Sequence, residues 1–126
     1  MIKSNSLEKL IDNCINYSDY NISLVIYTLL KNKYRLSVDN KLEYYVNNNW
    51  IIDNNSNNLK KDIETIVNNE FLKRIKYWNN TENNDAELKV QKLLGCSMKL
   101  KNKKYILTII KEVKSLFENG DCSFFN

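Results

Sequence analysis

Histidine and proline are both missing from this 126-residue chain, and it has only two glycines and three cysteines. Without histidine there is no imidazole general base, and no Ser-His-Asp or Cys-His nucleophile system can be assembled. The two glycines, Gly95 and Gly120, are too few for a phosphate-cradling loop, and no GxxxxGK[ST] motif is present. Cys14, Cys96 and Cys122 are far apart and outside any CxxC spacing. A zinc site built from these three alone would be too small and too scattered. Cys14 and Cys96 are expected instead as small core residues. No Asp/Glu pair stands at a spacing that singles it out. The expectation is a chain that is not an enzyme by itself and carries no cofactor.

No run of about 18 apolar residues occurs, so no membrane-spanning helix is expected. The amphipathic start, MIKSNSLEKLIDN, lacks the apolar core of a secretory signal. An intracellular site is the expectation. Hydrophobic content of 43% with 27% charge suits one globular domain with a single core. Asparagine makes up about one residue in six. It supplies turn and cap residues in a chain with no rigid proline breaks. Its enrichment together with Lys, Ile and Tyr fits an AT-rich coding sequence, as in a virus, protist or endosymbiont.

Apolar residues set the elements. Leu7, Leu10, Ile11, Cys14 and Ile15 recur at helical spacing, with Ser4 to Ser6 as N-cap candidates. A second helix follows Ser18 or Asp19, with Ile22, Val25, Ile26, Leu29 and Leu30 on one stripe. The period then changes to two. Tyr34 to Val38 alternates, Asp39-Asn40 turns, Leu42 to Val46 returns, and Asn47 to Asn49 turns again before Trp50-Ile51-Ile52. Asn and Asp tolerate the positive φ of tight hairpin turns, so residues 34–52 read as a three-stranded meander.

Helical period returns with Leu59, Ile63, Ile66, Val67, Phe71, Ile75 and Trp78, after a polar run Asp53 to Asn58 that caps the start. Asn79 to Asp85 is the clearest loop. Ala86, Val90, Leu93, Leu94 and Met98 mark a fourth helix, and Ile106, Ile109, Ile110, Val113, Leu116 and Phe117 a fifth. The fold class is α+β, mainly α: about five helices with a small antiparallel meander between helices 2 and 3. Residues 1–117 are expected as one domain. Residues 118–126 are expected as a loosely anchored tail, held only through Phe124 and Phe125.

Net charge is +4, unevenly spread. Lys89, Lys92, Lys99, Lys101, Lys103, Lys104, Lys111 and Lys114 are accompanied by a single acid, Glu112. Such a local excess attracts phosphates and gives salt-dependent binding, although a solvated helix face would look the same. Arginine, the better bidentate reader, occurs only at Arg35 and Arg74, which argues against sequence-specific reading. Tyr44, Tyr45 and Trp50 have the chemistry to stack on unpaired bases. Packing is the commoner fate of aromatics in a meander. Strand alternation sends Tyr44 and Tyr45 to opposite faces, so at most one joins the core; Tyr44 is carried as the candidate base contact.

Taken in order, these pieces resemble the domain preceding the motor in viral primase-helicases of the poxvirus replicative NTPase type, found also in giant-virus and satellite-phage relatives. The resemblance rests on Leu24 to Leu30 running into Lys33-Tyr34-Arg35, then Tyr44-Tyr45, Asn49-Trp50, Leu59-Lys60-Lys61-Asp62-Ile63, Glu70-Phe71-Leu72 and the closing helix Ile109 to Phe117. It covers about Ile22 to Phe117. In that family the domain lies between an N-terminal primase and a C-terminal superfamily 3 helicase, which hydrolyses nucleoside triphosphate as a hexamer on DNA.

The resemblance implies a non-catalytic accessory module in viral DNA replication. Its partners would be a single-stranded DNA backbone and a helicase or primase polypeptide, or another replication protein. It would act in the host cytoplasm or at a viral replication site. The alternative is a protein-interaction domain that ignores nucleic acid. Two departures stand out. No Walker A segment follows Phe117, so no family catalytic residue is transferred. Leu42-Glu43 also replaces the Trp-Tyr pair that many relatives carry early in the second strand.

Overall fold

Two helices, three strands and three further helices follow one another, as the periodicities predict, in a computed structural model that describes residues 2–16 and 18–123, with side chains for 7–16 and 18–119. Helix α1 spans Ile2–Asn13 and α2 Asp19–Leu30. The strands are β1 (Tyr34–Leu36), β2 (Leu42–Val46) and β3 (Asn49–Ile52). Helix α3 runs over 57–79, α4 over Ala86–Lys99 and α5 over Lys103–Ser123. Because α1 begins at Ile2, Ser4 to Ser6 lie inside it and do not cap it. Ser18 does cap α2, its Oγ accepting the Asn21 N–H at 3.4 Å. Helix α5 continues through 118–123, where a loose tail was expected. The anchoring expected of Phe124 and Phe125, and the side chain of Cys122, lie outside the described residues.

The sheet order is β1-β2-β3, antiparallel throughout. Asn47 (φ 51°) and Asn48 (φ 66°) form the two-residue turn between β2 and β3, with both central residues at positive φ. In the β1–β2 connection Asn40 (φ 62°) takes the left-handed position, and the Ser37 N–H bonds the Lys41 carbonyl at 2.8 Å. Strand β1 therefore stops at Leu36, two residues short of the expected Val38, which is fully exposed in the turn. The pairs Tyr34↔Tyr44 and Leu36↔Leu42 share the sheet face turned to the core. Arg35, Glu43, Tyr45 and Trp50 occupy the opposite face.

One carboxylate joins sheet to helix. Asp53, just past β3, is buried and accepts the backbone N–H groups of Asn58 (2.7 Å) and Leu59 (2.9 Å), satisfying the start of α3. Asn58 in turn donates from Nδ2 to the Tyr34 hydroxyl at 2.7 Å, and that hydroxyl donates to Asp62 Oδ2 at 2.6 Å. Lys33 completes the set, its Nζ 2.8 Å from the same carboxylate. Burial first, then Asp62, pushes the Tyr34 phenol well above its ordinary value, so it stays protonated and donates.

Helix α3 buries Leu59, Ile63, Val67 and Phe71, each four residues after the last. A straight α-helix would rotate that series steadily off the core. A π turn at Ile63–Val67, in which the Asn68 N–H bonds the Ile63 carbonyl, absorbs the drift. Ile66 consequently faces outward, although its spacing placed it on the buried stripe. Leu94 and Met98 are likewise exposed, and α4 seals the core with Ala86, Leu93 and Cys96.

Cys14 and Cys96 are fully buried free thiols, as their lone apolar contexts predict. Cys96 Sγ approaches the Cys14 carbonyl at 3.4 Å. Where α1 meets α3, Arg74 grips Asp12 through two hydrogen bonds of 2.9 and 2.7 Å, and Trp78 Nε1 adds a third at 3.0 Å. Ser97 on α4 donates to Asn68 on α3 at 2.5 Å, a buried polar pair between these neighbours.

Candidate nucleic-acid interface

Helix α5 carries two faces. Asn102 precedes it and caps it, Oδ1 accepting the Tyr105 N–H at 3.0 Å. Ile106, Ile109, Ile110, Val113 and Phe117 are buried in the core, with the helix packed chiefly on α2 and strand β1. On the outer side, positions 103, 107, 111 and 114 fall on one stripe by helical spacing, so Lys103, Lys111 and Lys114 are aligned with Lys104 beside them. Among the described residues these four lysines form no ion pair. Glu112, the one acid of the run, turns inward, its Oε1 buried.

Two further lysines from distant parts of the chain extend the stripe. Lys60, at the start of α3, shares a depression with Lys103 and Leu107; Glu64 lies in it as a partly offsetting charge. Lys41, in the β1–β2 turn, shares another depression with Lys114. Asp53 borders this second hollow, but both of its oxygens already accept backbone N–H groups. From Lys103 to Lys114 the helix advances about 16 Å, the length of about five stacked nucleotides of one strand.

The other expected lysines do not join this surface. Lys89 sits 4.0 Å from the Trp78 ring centroid, a cation–π contact beside the Arg74–Asp12 pair. Lys92, half-buried on α4, is also engaged. Lys99 lies 5.4 Å from the Tyr105 ring, whose hydroxyl donates to Asp19 at 2.8 Å. Lys101 is exposed in the α4–α5 turn. Tyr44 lies on the inner sheet face, packed against the core and 6.4 Å from Tyr34. The outward position belongs to Tyr45, so the candidate base contact moves from Tyr44 to the opposite face.

That outer face is ordered. Arg35 lies over the Trp50 ring at 4.3 Å, its Nε donates to Glu43 at 2.7 Å, and the Tyr45 ring is tilted against Trp50 at 5.1 Å. Around the β1 edge, Arg35 and Trp50 help line a cleft of about 530 Å³ whose walls also include Tyr27 and Phe117, with Lys31 and Glu118 as its other charged lining residues. Sequence reading missed Lys41, Lys60 and this cleft. Lys60 lay in a quoted motif, but nothing local says that it would stand beside Lys103.

Among the described residues no group of three or more Cys, Asp or Glu side chains converges as a metal site, and no helix is long and apolar enough to cross a membrane. Comparison with protein-family models gave no match, and neither did comparison with curated proteins or with solved structures.

Proposed function

We propose that this chain is a non-catalytic accessory module of a viral DNA-replication helicase-primase, supporting DNA engagement or helicase assembly. The observation that carries the DNA half is the unpaired lysine stripe of α5, extended by Lys41 and Lys60. The helicase half rests on the resemblance of the helix–meander–helix order. A rigid rod bearing aligned ammonium groups suits backbone contact, because lysines offer point charges and no bidentate base reading.

A gel-shift titration with single- and double-stranded DNA at two salt concentrations tests this reading. Binding should weaken steeply with salt, and Lys103→Glu combined with Lys111→Glu should reduce it by at least 10-fold. NTP hydrolysis by the chain alone is expected to be nil. DNA affinity unchanged by the double charge reversal would sink the basic-face assignment.

A second reading has its own observation. Strand β3 is a free sheet edge without charge or proline, and Ile51 and Ile52 are 42% and 46% exposed. An edge of that kind accepts a strand from another protein. Under this reading the chain ignores DNA, and Ile52→Lys abolishes capture of a replication polypeptide while leaving folding intact.

A further inference from the structure

Asn40 borders two hollows at once: the Lys41–Lys114 depression and the cleft of Arg35 and Trp50. The hollow beside Lys114 at the C-terminal part of the stripe and the aromatic cleft are therefore neighbours, with Asn40 on their common border. What fills that cleft can be argued from its walls. Arg35 is pinned on one side, over Trp50 at 4.3 Å and bonded to Glu43, yet half of its side chain (51%) remains exposed. Its guanidinium is a planar group already oriented by two contacts and partly open to solvent, which suits it to stack on a further planar group. Tyr27 and Phe117 offer apolar edges in T-shaped contact at 4.9 Å, and Asn32 and Ser37 offer donors and acceptors at the rim. Planar stacking surface with polar rim groups is what an unpaired base requires.

We infer that α5 and this cleft form one site for a single nucleic-acid strand, with phosphates along Lys103, Lys111 and Lys114 and an unpaired base entering the cleft to stack on Arg35. The backbone half rests on the DNA reading above; the base half does not follow from charge and is new. A duplex satisfies only the first half, because its bases are held in the stack. The site thus selects single strands without reading sequence.

The test is fluorescence anisotropy with an oligothymidylate, an abasic strand of equal length and a duplex. The oligothymidylate should bind about 10-fold tighter than the abasic strand, since stacking one base contributes on that order. Arg35→Ala should erase this difference by weakening the oligothymidylate alone, whereas Lys103→Glu with Lys111→Glu should weaken both strands alike. Trp50→Ala, checked for folding by thermal melting, should behave as Arg35→Ala does. Equal binding of the two strands would overturn the base site while leaving the backbone reading intact. A difference that survives Arg35→Ala and Trp50→Ala would overturn it too, placing the base elsewhere. Failure of all three ligands to bind wild-type protein at low salt would remove the DNA reading itself.

Discussion

Tyr34 shows how one hydroxyl can decide the state of several neighbours. It donates to Asp62 and accepts from Asn58, so its removal leaves a buried carboxylate with Lys33 and strands an amide donor. Tyr34→Phe should lower stability by about 1–3 kcal/mol in urea melts at neutral pH. Alkaline pH adds a second signature. Burial raises the folded-state pKa of the Tyr34 and Tyr105 phenols and of the Cys14 and Cys96 thiols. The unfolded chain releases these protons near pH ~8.5 for thiols and ~10 for phenols, while the folded chain keeps them. The folded state then binds more protons, so stability is full below those values and falls as pH rises through them. Urea midpoints should decline between about pH 8 and 11, and the part above pH ~10 should be shallower in Tyr34→Phe.

At the level of elements, the π turn in α3 makes a prediction that periodicity alone reverses. Ile63→Ala should cost about 2–5 kcal/mol, whereas Ile66→Ala, on the exposed side of the same turn, should stay within about 0.5 kcal/mol. Equal costs in chemical denaturation would show that the helix is a plain α-helix. The five helices and the meander were legible because each rests on a local signal: apolar period, an Asn turn, a cap. Ile66 was not, since an extra residue in one turn leaves no mark in spacing by fours and threes. Leu94 and Met98 mark their helix correctly, but their exposure was not legible for a related reason. Side chains on a helix flank look core-facing in sequence, and only the neighbour's position decides which flank is covered. Val38 was lost to a turn that starts early, the Ser37–Lys41 bond closing before alternation ends.

For the whole molecule, a long-range polar tie of several bonds is the grip of Arg74 on Asp12, 62 residues away, with Trp78 on the same carboxylate. It holds the first helix to the third. Arg74→Lys keeps the charge but loses the fork that makes two bonds, and should lower stability by about 1–3 kcal/mol, read as a lower urea midpoint with unchanged slope. The candidate site also belongs to this scale, and for that reason little of it was legible. Lys103, Lys104, Lys111 and Lys114 could be read from their charge excess. Their grouping with Lys41 and Lys60, and their separation from Lys89, Lys92 and Lys99, depends on how three elements pack. The aromatic assignment was half readable: alternation put Tyr44 and Tyr45 on opposite faces, but only the register with Tyr34 decides which one faces the core.

The buried carboxylate of Asp53 has a consequence for how this chain could vary. It ends a strand and begins a helix by bonding Asn58 and Leu59 across a loop in which Asn55 and Ser56 both stand at positive φ. Inserting or deleting a residue between Ile52 and Asn58 would detach the cap and shift Asn58 and Asp62 away from Tyr34 together. The segment from Asn80 to Asp85, by contrast, carries no such coupling to the sheet. Among homologous chains the first connection should keep its length while the second drifts, so a gap at the first would mark a rebuilt junction.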